Sequence, residues 1–110
     1  MASLDDLRQF ILSLPETSEG THFRRPVFRV GDKPIISVEK DQGHVTVRLD
    51  RETIETLVNE DEGRFEEIWQ NGKHLIGIRF DIANVSTEQL HRILEQSWRT
   101  KAPKKRIKNR

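Results

Sequence analysis

Between Thr21 and Val30 the chain reads THFRRPVFRV, with a histidine and three arginines set among four large apolar residues. A guanidinium presents a planar fork of N–H donors that matches the oxygens of a phosphate or carboxylate, often two at a time. His22, Arg24 and Arg25 are therefore a candidate anion or small-ligand contact. The stretch His44–Leu49 alternates strictly, so a strand there would place His44, Thr46 and Arg48 on one face and Val45, Val47 and Leu49 on the other. Leu75–Asp81 reads the same way, with Ile76, Ile78 and Phe80 inward and Leu75, Gly77 and Arg79 outward. If helices cover the apolar face, the opposite face carries His44, Arg48 and Arg79, joined by Arg29 if its register agrees. Several arginines on an open sheet make a candidate footprint for nucleic-acid phosphates. The plainer alternative is the solvated polar face that antiparallel sheets commonly show.

Catalysis finds no comparable foothold. There is no cysteine, which excludes a disulfide framework, a thiolate zinc site and a thiol nucleophile. His22, His44, His74 and His91 show no short metal-ligand spacing, and His91 reads as a solvated helix flank. The acidic run at 59–63, with Glu66 and Glu67 nearby, lacks the spacing of an EF-hand loop and reads as a solvated loop. No P-loop, GxGxxG or GxSxG is present. The expectation is a non-enzymatic protein with no metal and no cofactor. Stacking platforms for bases need exposed aromatics, and this chain has no tyrosine; Phe23 and Trp69 fit core packing better.

The chain has 110 residues, the size of one domain, with 34% hydrophobic and 34% charged residues. Its net charge of +1 hides an asymmetry. The last ten residues, KAPKKRIKNR, hold six basic residues and no acid, so the preceding hundred carry 13 basic against 18 acidic residues. The organisation expected is one domain over residues 1–101 and a basic tail over 102–110, where Lys104, Lys105, Arg106 and Lys108 are further candidates for nucleic-acid contact. The acidic early residues and the lack of a long apolar run suggest neither a signal peptide nor a membrane span, and a cytoplasmic location is expected.

Leu4, Leu7, Ile11 and Leu14 fall at helical spacing, Ser3 and Asp6 resemble a capping box, and Pro15 stops the helix, which predicts a helix over 4–14. ETSEGT follows as a polar loop. His22 to Arg25 reads as an irregular approach or bulge, and Val27 to Val30 as a strand, because Pro26 belongs at a strand start, edge or bulge. Ile35–Glu39 and His44–Leu49 complete a three-strand meander. Asp50 caps a second helix to about Asn59; Phe65–Trp69 and Leu75–Asp81 form a hairpin around Asn71-Gly72, a favoured type I′ pair. Ser86 caps a third helix, with Gln89 completing its box, Val85 stapling on Leu90, and Leu90, Ile93, Leu94 and Trp98 as its apolar stripe. The fold class is α+β, an antiparallel sheet with helices packed on one face.

This order of elements resembles the MmcQ/YjbR family of small bacterial proteins. Leu14-Pro15-Glu16 followed by Glu19-Gly20-Thr21-His22-Phe23 is similar to the family's leucine-proline and histidine-phenylalanine segments. Pro26 to Lys33 resembles its first strand and turn, and Gln96-Ser97-Trp98-Arg99 with Ala102-Pro103-Lys104-Lys105 its closing helix and end. The chain departs from the pattern at Arg24, where the family often has glycine, and at Leu75 and Ile76, where it often has an aromatic. The resemblance implies a double-split βαβ, double-wing topology like the DNA-binding domain of the phage transcription factor MotA, and with it a DNA-binding role on the open sheet face. Fold likeness alone does not determine function. Two expectations follow: weak, phosphate-mediated DNA binding, or a protein or small-anion partner at His22–Arg25, in neither case with a membrane.

Overall fold

The computed structural model describes residues 2–61 and 63–101. Its elements run α1 (Leu4–Leu12), β1 (Thr17–His22), β2 (Arg25–Val30), β3 (Lys33–Val38), β4 (His44–Arg48), α2 (Arg51–Glu60), β5 (Glu66–Gln70), β6 (His74–Asp81), a short 3-10 turn (Ile82–Asn84) and α3 (Thr87–Lys101). The six strands form one antiparallel sheet in the order β1-β2-β3-β4-β6-β5. The first helix packs against α3 and β1, α3 against β3 and β4, and α2 against β5 and β6, so the helices lie on one side. No helix among the described residues is long and apolar enough to cross a membrane.

Local chemistry explains the helix starts. Ser3 accepts from the Asp6 backbone N–H at 3.2 Å while the Asp6 carboxylate accepts from the Ser3 N–H at 2.9 Å, a complete capping box. Asp50 accepts from the Thr53 N–H, and Ser86 from the Gln89 N–H. The first helix ends two residues before the expected Leu14, where the Ser13 hydroxyl donates to the Phe10 carbonyl at 2.6 Å.

Register fixes which residues share a face. One cross-strand row runs Gly20–Val27–Ser37–Thr46–Arg79–Glu66 through all six strands. The adjacent row, Glu19–Phe28–Ile36–Val47–Ile78–Glu67, lies on the helix side. There Phe28, Ile36, Val47 and Ile78 meet Leu7, Ile11, Leu90 and Leu94, all at most 1% exposed. Removing a ring as large as Phe28 from such a packed site costs about 3–5 kcal/mol. Arg8 of α1 donates two 3.0 Å hydrogen bonds to Glu19, tying the helix to the edge strand.

Three expectations need correction. Residues 17–21, read as part of a loop, form β1 together with His22; its side chains are polar because it is an edge strand, and it is held by pairing with β2. His22 and Arg25 are neither bulge nor irregular approach but the last paired residues of a hairpin, with Phe23 and Arg24 as its two-residue turn. Both turn residues have positive φ, 52° and 66°. The third concerns β6. Its register skips Ile76, because Ile68 faces Gly77 and Trp69 faces Leu75. This bulge reverses the side-chain alternation, so Leu75 packs on the core and Ile76 turns to the open face, the opposite of the simple parity reading.

The third helix is fastened from inside. Ser97, 0% exposed, donates from its hydroxyl to the Arg48 carbonyl at 2.6 Å, and the Trp98 indole N–H donates to the Pro15 carbonyl at 2.9 Å. Ser97→Ala should lower stability by about 1–2 kcal/mol, because it leaves that carbonyl short of a donor in a buried place. Chemical denaturation with an unchanged m-value would measure it.

Candidate anion-binding face

Two hollows indent the open side of the sheet. A cleft of about 290 Å³ is floored by Val27, Ile35 and Ile76 and walled by Arg29, Arg48, His22, Ser37 and Thr46. It continues into a second hollow of about 230 Å³ that shares His22, Val27, Ser37 and Thr46 and adds Arg25 and Glu39. Arg29 and Arg48 lie on β2 and β4, with β3 between them. Their backbones are thus about 10 Å apart at the usual strand spacing, within reach of one ligand for two long side chains. The Arg29 guanidinium lies over Gly20, where an added Cβ would stand 2.5 Å from its Nη1.

Ion pairing sorts the arginines. Ten fall among the described residues, and Arg8, Arg51, Arg64, Arg79, Arg92 and Arg99 are each paired with a carboxylate. Among the described residues the remaining four, Arg24, Arg25, Arg29 and Arg48, make no ion pair. All four belong to the open face or to the hairpin tip beside it. Arg25, Arg29 and Arg48 are only half exposed. A cation partly removed from water without a counterion is unfavourably solvated, and an incoming anion relieves that.

The other two sheet candidates have partners. Arg79 donates to Glu39 from Nε at 2.6 Å and from Nη2 at 3.0 Å, and to Glu66 from Nη1 at 3.2 Å. This clamp joins β6 to both the β3 end and β5. The Arg79 hydrogen bonds hold the Glu39 carboxyl below its ordinary range against the opposing effect of burial. His44 Nδ1 lies 2.7 Å from Asp41 Oδ2. Asp41 also accepts from the backbone N–H groups of His44 and Gly43, and these bonds keep its carboxyl well below the usual carboxylate value. The sheet candidates therefore separate into a partner-free pair, Arg29 and Arg48, and a partnered pair, Arg79 and His44. His22, Arg24 and Arg25 come together at the hairpin tip. The tail candidates Lys104, Lys105, Arg106 and Lys108 lie outside the described residues.

The Glu39 shift has a pH consequence. Its folded-state pKa lies below its unfolded value, so its contribution to stability is fully present above the unfolded value and fades as pH falls through the folded one. Arg79→Gln should therefore flatten the decline in stability from about pH 5 downward, since unperturbed glutamate titrates near 4.3. Melting curves across pH 3–7 for both proteins would show the two profiles converging at the acid end.

Sequence reading missed several features of this surface. Phe23 is 77% exposed and Trp69 41% exposed, so neither is a core residue. Trp69 instead sits with the Arg51 guanidinium 5.7 Å from its ring centre and its indole N–H 3.3 Å from Glu67. His91 is not a freely solvated flank either: its ring stacks on Phe10 at 4.2 Å with planes 10° apart. Among the described residues, no group of three or more histidine and carboxylate side chains is placed to hold a metal ion.

These features define a class: a small α+β protein whose open antiparallel sheet carries a basic cleft on the face away from its helices. The chain belongs to the YjbR family, whose family model matches residues 12–100. Its structure is similar to the crystal structure of a Deinococcus radiodurans protein with a DUF419 domain, at a TM-score of 0.74 and 23% identity, over 89% of this chain and 77% of that one. That likeness supports the α+β fold. No curated protein matches the chain.

Proposed function

We propose that this YjbR-family chain is a non-enzymatic cytoplasmic binding protein for a phosphate-bearing ligand, held on the open sheet face by Arg29 and Arg48 with Arg25 at the rim. The observation that carries the reading is the sorting of the arginines: six have carboxylate partners, Arg79 of the open face among them, and the partner-free ones gather on this face or at the hairpin tip beside it. Ser37 and Thr46 supply hydroxyl donors in the same cleft, and Val27, Ile35 and Ile76 give it a dry floor. The test is a titration with inorganic pyrophosphate followed by amide NMR shifts. Shifts confined to residues 22–29, 36–38 and 46–48 would support the reading, and an unchanged spectrum at millimolar ligand would remove it.

DNA is the second reading. The group of partner-free arginines favours it, as do the six basic residues among the last ten, while the acidic balance of the first hundred residues and Glu39 and Glu66 on the same face oppose a long duplex footprint. Phosphate contacts release counterions, so binding to a fluorescent duplex should weaken steeply with salt. A full-length variant with Lys104, Lys105, Arg106 and Lys108 changed to glutamine would separate the sources. Retained binding assigns it to the sheet, and loss assigns it to the tail.

A further inference from the structure

The protein contains two hairpin turns, each with two consecutive residues at positive φ, and their chemistry is opposite. In the β5–β6 hairpin, Asn71 and Gly72 have φ of 54° and 68°, and the Lys73 N–H donates to the Gln70 carbonyl at 3.0 Å. Asn-Gly is the pair such a turn favours. In the β1–β2 hairpin the two turn positions have φ of 52° and 66°, yet they hold Phe23 and Arg24. Bulky side chains are strained in this region, and strained residues concentrate where they serve a ligand rather than the fold. The strain also places an aromatic ring in solvent, 77% exposed, with the His22 ring 4.3 Å from it. Turn formation explains neither residue.

The tip is linked to the basic cleft through an intermediate hollow. A hollow of about 380 Å³ is bounded by Phe23, Arg24, Arg25, Glu39 and Lys40. Arg25 and Glu39 also bound the second hollow, which in turn shares His22 with the cleft of Arg29 and Arg48. A chain of neighbouring hollows thus has an exposed ring at one end and guanidiniums without ion pairs among its lining residues. Arg25 and Arg29 are four residues apart on one strand, about 13 Å, a reach longer than a lone phosphate needs. Flat bases stack on aromatic rings without regard to sequence, while arginines hold the backbone.

Building on the anion reading above, we propose that the ligand is a nucleoside phosphate, free or within an unpaired strand, with its base stacked on Phe23 and its phosphates on Arg25, Arg29 and Arg48. A duplex buries its bases in its own stack and offers the tip nothing to hold, so it is the poorer ligand.

The experiment measures affinities of the full chain for inorganic phosphate, adenosine 5′-monophosphate, a single-stranded deoxyadenosine hexamer and the matching duplex. The variants are Phe23→Leu and the double change Phe23→Asn with Arg24→Gly. Adenosine monophosphate should bind about tenfold tighter than phosphate, and Phe23→Leu should erase that advantage while leaving phosphate affinity unchanged. The double variant should fold more stably than the parent, since it installs the favoured turn pair, and still lose the advantage, which rules out misfolding as the cause. Tighter binding of the hexamer than of the mononucleotide assigns the ligand to a strand; the reverse assigns it to a free nucleotide. Phosphate binding that depends on Arg29 and Arg48 without any gain from the base overturns this proposal and leaves the anion reading standing. Failure of every probe overturns both.

Discussion

Gly77→Ala should destabilise the protein by about 3 kcal/mol, lowering its melting temperature by more than about 10 °C. A Cβ at this position would stand 2.3 Å from the Val47 carbonyl oxygen and 3.1 Å from the Arg48 Cα. Both are backbone atoms of the central strand β4, so no side-chain rotation can relieve the clash. The close approach lies where Gly77 pairs with Arg48 of β4, next to Ile76, the residue that the β5–β6 register skips. Gly43→Ala is the control. Its Cβ would meet nothing closer than 3.9 Å and its φ is not positive, so the change should stay within about 0.5 kcal/mol of neutral. Thermal melts of both variants decide the point, and a Gly77→Ala protein as stable as the parent would mean that the strands can part there at little cost. The neighbouring bulge turns Ile76 into the cleft, and Gly77 pairs with Arg48, so a surviving Gly77→Ala protein should also show altered amide shifts at Arg48.

Arg29→Gln and Arg48→Gln should each weaken phosphate binding about 10- to 100-fold, because a hydrogen bond to a charged group contributes about 1.5–3 kcal/mol. The double change should abolish measurable binding. Neither arginine is ion-paired among the described residues, so stability should hold or rise slightly. Arg79→Gln should behave in the opposite sense. Its guanidinium is occupied by Glu39 and Glu66, so phosphate affinity should scarcely move, while the two carboxylates left without their shared cation should lower stability near neutral pH. Calorimetric titration paired with denaturation would reveal this crossed pattern. Equal loss of binding in all three variants would instead mean that the whole face acts as one diffuse positive surface.

Local chemistry made much of the architecture legible. The caps at Ser3, Asp50 and Ser86 act within three residues of themselves, and each is formed. Strict alternation set the faces of β4, and Asn71-Gly72 marked the β5–β6 turn by the preference of those residues for positive φ. Burial of the apolar residues alone put Arg48 and Arg79 on the face away from the helices, while Arg29 waited on its register, which the folded sheet supplies.

Tertiary structure decided the rest, because the responsible contacts join residues far apart in the chain. The polar sequence of β1 carries no burial pattern; it becomes a strand because β2 supplies its hydrogen-bond partners. The Phe23-Arg24 turn defies local preference and exists because the flanking strands pair up to His22 and Arg25. The bulge at Ile76 depends on two partner strands at once, so parity within β6 could not foresee it. Most of all, which arginines are free was set by distance across the sheet: Glu39 reaches Arg79 over forty positions, and no carboxylate among the described residues is so placed for Arg29 or Arg48. The sequence by itself determined the helices, the layers and the presence of basic residues on an open face; only the folded sheet determined which of those charges remain without a partner, because ion pairing is a matter of proximity in space.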